Sequence, residues 1–192
     1  KIYALYKSGN FIKGKYSTNG GSSWLNLPDV TTTANWSGGV DAVYQDILGV
    51  HLVWATKDNG YNYETYYQRL DINSNQWVEY YPVTNYGTDV GGQPKVIFST
   101  NRVHVCYGTG SVKTRDRFSG TWQTPQPVIN PPEESYTHNL VVAGNLLYFI
   151  FGNQPGGPSF NPDMDISTKN RILSSSVWPS NTNVAEFAVQ HF

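Results

Sequence analysis

The stretch YSTNGGSSW, Tyr16–Trp24, decides how the rest of the chain is read. Strand-like runs flank it, NFIKGKYS before and WLNL after. Between them lie Asn, Gly and Ser, the residues of tight turns. A short polar side chain at Asn19 can bond neighbouring backbone amides and tolerates left-handed geometry. Gly20 and Gly21 permit positive φ. Trp24 then packs over the corner. A turn closed by Trp returns three times, in DINSNQW (71–77), DRFSGTW (116–122) and ILSSSVW (172–178).

Working outward from the four corners reveals a repeat. The apolar runs KIYALYKSGN (1–10), GVHLVWATKD (49–58), RVHVCYGTG (102–110) and NLLYFIFGN (145–153) align on Tyr6, Trp54, Tyr107 and Phe151. All but the first follow another short strand: VDAVYQD (40–46), PKVIFST (94–100) and NLVVAGN (139–145). Each precedes a more polar strand: FIKGKYS, YETYYQRLD, SVKTRDRF and STKNRILSS. Four strands at a period of about 40–50 residues are the pattern of a β-propeller. Second strands that are apolar on both faces fit blades packed between two neighbours. No segment carries a helical stripe.

The expectation is an all-β, four-bladed β-propeller with four antiparallel strands per blade, forming a single domain over 1–192. Its blades cover approximately 1–30 plus 184–192, 39–83, 92–128 and 138–180. AEFAVQHF (185–192) matches the first-strand pattern, so the C-terminal strand is expected to join the N-terminal blade and close the ring. This would remove exposed edges. A piece of a larger propeller is the competing reading, since the chain opens at Lys1 rather than Met.

Composition narrows the function. Net charge is −1 and the 13 Lys and Arg are scattered, whereas a phosphate-tracking surface needs a basic stripe; nucleic acid is not an expected partner. No apolar run approaches the length of a membrane span. The one cysteine, Cys106, lies in an apolar run and reads as a buried, inert thiol. Fourteen Tyr and six Trp suit both strands and stacking against sugars. One glycosylation sequon, Asn35-Trp36-Ser37, is present.

STNGGSSW resembles the Asp-box, or bacterial neuraminidase repeat, of sialidase-like β-propellers. Ser17, Gly21 and Trp24 fit the pattern Ser-x-Asp-x-Gly-x-Thr-Trp, Asn19 stands for the Asp, and Ser23 for the Thr. GVHLVWATKDNGYNYETYYQRLD also resembles the paired strands of these propellers. The resemblance implies that Ser17, Asn19, Gly21 and Trp24 form a structural turn on the side opposite the ligand face. A sialidase would also need three Arg around one carboxylate and an Arg-Ile-Pro motif. The chain has no such motif, and Arg69, Arg115, Arg117 and Arg171 fall in third strands, read as the outer part of blades, with Arg102 in a turn. The resemblance is therefore to a fold, without the activity.

Recognition is expected on the loops opposite the corners, because long loops on a rigid scaffold carry binding. These loops hold Trp36, Asp58, Tyr61, Tyr63, Tyr86, Asp89, Tyr136, His138, Phe160 and Asp163. Aromatic rings to stack on and planar acceptors for hydroxyls are what a sugar site uses. The expected function is non-catalytic, lectin-like glycan or glycoprotein binding by a secreted or cell-surface protein. Two alternatives stand beside it: a protein-binding or structural module of a larger surface protein, and a glycan-cleaving enzyme. Asp163 with Asp165, or Asp58 with Asn59 and Glu64, leaves Ca²⁺ open as an oxygen-bound ion; no other cofactor is implied. His51 and His104 occupy equivalent strand positions and read as packing residues. His138 reads as a solvated loop residue just before a first strand.

Overall fold

The computed structural model describes residues 1–9, 11–30, 36–57, 63–84, 92–108, 112–129, 135–153, 165–175 and 178. Among the described residues there are fifteen strands and no helix. They form four antiparallel sheets. The first holds β1 (Ile2–Ser8), β2 (Phe11–Ser17) and β3 (Leu25–Asn26). The second holds β4 (Trp36–Gln45), β5 (Gly49–Lys57), β6 (Tyr63–Asp71) and β7 (Gln76–Pro82) in that order. The third holds β8 (Lys95–Ser99), β9 (Arg102–Tyr107) and β10 (Val112–Phe118), followed by β11 (Thr121–Trp122) and β12 (Gln126–Ile129), both paired with β10. The fourth holds β13 (Ser135–Ala143), β14 (Leu146–Asn153) and β15 (Asp165–Ile172).

The first strands β4, β8 and β13 lie side by side, so the sheets fan outward from them. Alternation of side chains then gives β5 and β9 two buried faces. On β5, Leu52 and Trp54 meet Ile12 and Val30 of the first sheet, while Val53 meets Val96 and Val103 of the third. Cys106 and Val128 of the third sheet pack with Leu140, Leu147, Phe149 and Phe151 of the fourth. Each fully buried side chain of this size contributes roughly 1.5–3 kcal/mol by leaving water. The paired burial explains why second strands read as unbroken apolar runs.

The repeated Trp reaches back to the preceding sheet. Trp77 donates its Nε1–H to the Pro28 carbonyl at 2.8 Å, and Trp178 donates to Thr114 Oγ1 at 2.7 Å. Trp122 meets the Tyr67 ring edge-on at 5.2 Å. Trp24, by contrast, is 40% exposed. The segment 184–192, assigned to the N-terminal blade, lies outside the described residues.

Three sequence expectations change. Trp36 opens β4, Tyr63 opens β6 and Tyr136 belongs to β13, so all three stand on strands rather than loops. His138 is inside β13 and only 7% exposed, not solvated, because its strand begins earlier than the apolar pattern suggests. Arg171 is buried at 2% exposure rather than lying at the outside of a blade, since a carboxylate from the next sheet meets it. Cys106 is buried, and burial pushes its thiol up.

Candidate functional site

The corner Ser17–Trp24 is tied together by its own polar groups. Ser17 Oγ accepts from the Gly21 amide at 2.8 Å and donates to Asn19 Oδ1 at 2.9 Å. Asn19 Oδ1 also accepts from the Ser23 amide at 3.0 Å, and Asn19 Nδ2 donates to Ser23 Oγ at 2.9 Å. With its oxygen and one Nδ2 hydrogen engaged within the corner, Asn19 serves the turn.

At the other end of the sheets, β5 and β6 place Trp54 directly opposite Tyr66. Their rings stack at 5.8 Å, and Tyr66 stacks on Tyr80 of β7 at 5.4 Å. Tyr80 reaches this position because the β6–β7 register shifts between Tyr67 and Arg69, which gives β7 extra length there. Trp54 is buried, and Tyr80 is 48% exposed, so the trio forms a shelf with one open ring. The Tyr66 hydroxyl donates to Glu64 Oε2. Burial first, then this bond, raises the Tyr66 phenol, which keeps it protonated as a donor. A ring face beside a carboxyl group and a fixed hydroxyl is suited to a sugar, whose C–H face stacks and whose hydroxyls bond.

The expected site residues fall unevenly around this shelf. Tyr63 is half-buried at the start of β6, on the same strand as Glu64 and Tyr66. His138 is on β13 in another sheet, its ring 5.6 Å from that of Phe149. Burial lowers His138 to about 4, partly offset by the Gln93 backbone, so the ring is neutral at physiological pH. Among the described residues neither of its nitrogens has a well-formed hydrogen bond. Trp36 and Tyr136 have described backbones, but their side chains lie outside the description. Asp58, Tyr61, Tyr86, Asp89, Phe160 and Asp163 lie outside the described residues altogether. Among the described residues no group of three His, Cys, Asp or Glu could hold a metal; of the Ca²⁺ candidates Glu64 and Asp165 are described, while Asp58, Asn59 and Asp163 lie outside the described residues.

The shelf residues Tyr66 and Tyr80 are absent from the sequence expectation, which followed loops rather than strands. The run YETYYQ, with three Tyr in five positions of one strand, is the signal that marks Tyr66.

A second polar constellation joins the third and fourth sheets. His104 Nδ1 lies 2.9 Å from Asp116 Oδ1, and Arg171 from the fourth sheet donates to both Asp116 oxygens. Arg102 adds a contact at 3.6 Å. Although burial alone would raise Asp116, the His104 bond and the Arg171 charge hold it below the usual carboxylate range. His104, Asp116 and Arg171 are all buried, so the group acts as a structural joint rather than meeting substrate.

No protein-family model matches the chain, and no curated protein matches it. Solved structures do. A protein of unknown function from Dyadobacter fermentans superposes with a TM-score of 0.61 at 13% identity, covering 97% of this chain and 55% of its own. An α-L-arabinofuranosidase from Fusarium graminearum, solved with an iminosugar inhibitor, gives 0.58 at 12% identity, covering 93% and 58%. A GH43 endo-arabinanase from Bacillus licheniformis gives 0.56 at 13% identity, covering 97% and 78%. The chain thus spans little more than half the length of the first of these. At such identities the likeness is one of fold: an all-β arrangement of propeller type, shared with glycoside hydrolases. Among the described residues no helix is long and apolar enough to cross a membrane.

Proposed function

We propose that this chain recognises carbohydrate at the end of the propeller opposite the Trp corners. The observation that carries the reading is the shelf of Trp54, Tyr66 and Tyr80 with Glu64 at its edge. In its lectin-like form the chain binds a glycan or glycoprotein, with Asp58, Tyr61, Tyr86 and Asp89 as further proposed ligand contacts. A secreted or cell-surface location belongs to the same reading, because that is where such ligands are displayed.

A second reading, glycan cleavage, is supported at least as well by the fold, since an endo-arabinanase and an α-L-arabinofuranosidase share it. Under that reading Glu64 is the first carboxylate to test, paired with an acidic loop residue such as Asp58. One experiment separates the two. Arabino-oligosaccharides and a wider polysaccharide panel are offered to the protein, with binding read by calorimetry and cleavage by new reducing ends. Binding without new ends, weakened at least tenfold by Tyr80→Ala, supports the lectin. New ends that disappear in Glu64→Gln support the enzyme. Neither binding nor cleavage across the panel overturns both and favours the protein-binding module.

The reading includes a four-bladed ring with blades at approximately 1–30 plus 184–192, 39–83, 92–128 and 138–180, closed by strand 184–192 beside β1. The exposed Ile2 and Tyr6 on β1 and the uncovered Trp24 support it. So does the bonding of Ser17 and Asn19, which suits an Asp-box turn. Deleting 184–192 should lower the urea midpoint; an unchanged midpoint sinks the closure.

A further inference from the structure

The buried joint between the third and fourth sheets has a counterpart between the second and third that is built differently. His51 and His104 both stand three residues before the closing aromatic of a second strand, at Trp54 and Tyr107. Each is flanked by an arginine from the following sheet: Arg171 at His104, and Arg117 at His51. These two arginines are equivalent. Arg117 follows Asp116, the ladder partner of His104, and Arg171 follows Asn170, the ladder partner of Tyr148 at the same position. In the later joint a carboxylate, Asp116, fills the space between histidine and arginine. In the earlier joint the ladder partner of His51 is Arg69 instead. Its guanidinium turns away to the Leu48 carbonyl and to Glu79 Oε1 at 2.8 Å.

The result is a cavity of about 290 Å³ at the corner end, lined by Leu48, Glu79, Phe98, Asn101, Val103 and Arg117. That is near the lower end for small-molecule pockets, about 300 Å³. Glu79 and Arg117 line it as a pair at 2.6 Å, and Arg69, which stands outside the lining, contacts the same Glu79 carboxylate and leaves this group of three with an excess of positive charge. His51 is fully buried; its Nδ1 lies 2.7 Å from the Tyr67 hydroxyl, and its Nε2 has no hydrogen-bond partner among the described residues. Its ring stacks on Phe98 of the cavity wall at 5.3 Å.

We propose that this cavity binds a small hydroxylated carboxylate, a single sugar acid in size and chemistry. The excess guanidinium charge receives the ligand carboxylate, as Arg171 receives Asp116 in the next joint. Glu79 supplies an acceptor for hydroxyls, and Phe98 an apolar wall. The site lies between the second and third sheets, whereas the Tyr80 ring stacks on Tyr66 and Trp54 on the face turned to the first sheet, so it does not depend on the glycan reading.

The test is a calorimetric titration of the whole chain with D-glucuronate, D-glucose and acetate. Glucuronate should bind saturably, with glucose and acetate each at least tenfold weaker. Arg117→Gln should weaken glucuronate at least tenfold. Asn101→Asp provides an independent variant: Asn101 has positive φ (64°), which Asp tolerates, so the protein keeps its fold while the added charge repels the ligand. It should also weaken binding at least tenfold, whereas Tyr80→Ala should leave it unchanged. No saturable glucuronate binding, equal affinity for glucose, indifference to Asn101→Asp, or loss in Tyr80→Ala would each overturn the proposal.

Discussion

Arg171 places Nη2 2.7 Å from Asp116 Oδ2 and 2.8 Å from Oδ1, one nitrogen bridging both oxygens across the third and fourth sheets. Both residues are buried, and the Arg171 guanidinium also lies 5.2 Å over the Trp178 ring. Removing one member leaves a charge without its partner in a low-dielectric site. Asp116→Ala should therefore cost about 3–5 kcal/mol in urea unfolding. The double variant Asp116→Leu, Arg171→Met should cost clearly less than the sum of the two singles, because no charge is stranded. Additive losses would show that the pair is not coupled.

Acid should loosen the protein before its carboxylates titrate. Burial lowers both His51 and His138 from 6.5 to about 4, His51 with help from Arg69 and Arg117. Between those values the unfolded chain binds more protons than the folded one. Stability should fall as pH drops from about 6.5 towards 4, by up to roughly 1.4 kcal/mol per pH unit for each histidine. Asp116, held low in the fold, adds a further loss once pH falls through its unfolded value near 3.8. The free energy of urea unfolding should be flat between about pH 7 and pH 8 and fall above about pH 9, where the Cys106 thiol, raised by burial in the fold, ionises first in the unfolded chain. Removing one slope contribution by His138→Phe should flatten the acid limb, and an unaltered limb would place the effect elsewhere.

Gly49 joins β4 to β5 at φ 111°, and a Cβ built there lies 1.9 Å from the Leu70 carbonyl oxygen. Strain and collision act together, since the obstacle is backbone. Gly49→Ala should cost more than about 2 kcal/mol. A near-neutral midpoint in urea would show that β6 can withdraw from this turn.

The corner at Ser17 offers a milder test. Ser17 is buried, and its hydroxyl serves the Gly21 amide and Asn19. Ser17→Ala should cost about 1–2 kcal/mol by leaving that amide without its acceptor. Asn19→Asp keeps the acceptor for the Ser23 amide and should stay within about 0.5 kcal/mol. Thermal unfolding of both variants checks the order.

Most of the sheet content was legible because turn residues and alternation are local. The corners at 71–77, 116–122 and 172–178 show where third strands end, and β5, β9 and β14 coincide with the aligned apolar runs. The shelf was not legible. Tyr66 and Tyr80 read as ordinary strand residues until a register shift brings the second ring over the first. Nor was the difference between the joints. His51 and His104 look equivalent in the chain, but the residue each faces across the ladder is Arg69 in one sheet and Asp116 in the other.

By itself, YSTNGGSSW with its three echoes determined an all-β chain of repeated sheets and the order of strands within them, because backbone dihedrals and side-chain alternation are set by near neighbours. Only the tertiary structure decided which charges cancel between sheets and which ring stays open at an edge. Those depend on residues such as Asp116 and Arg171, separated by 55 positions and brought together only when one sheet packs on the next.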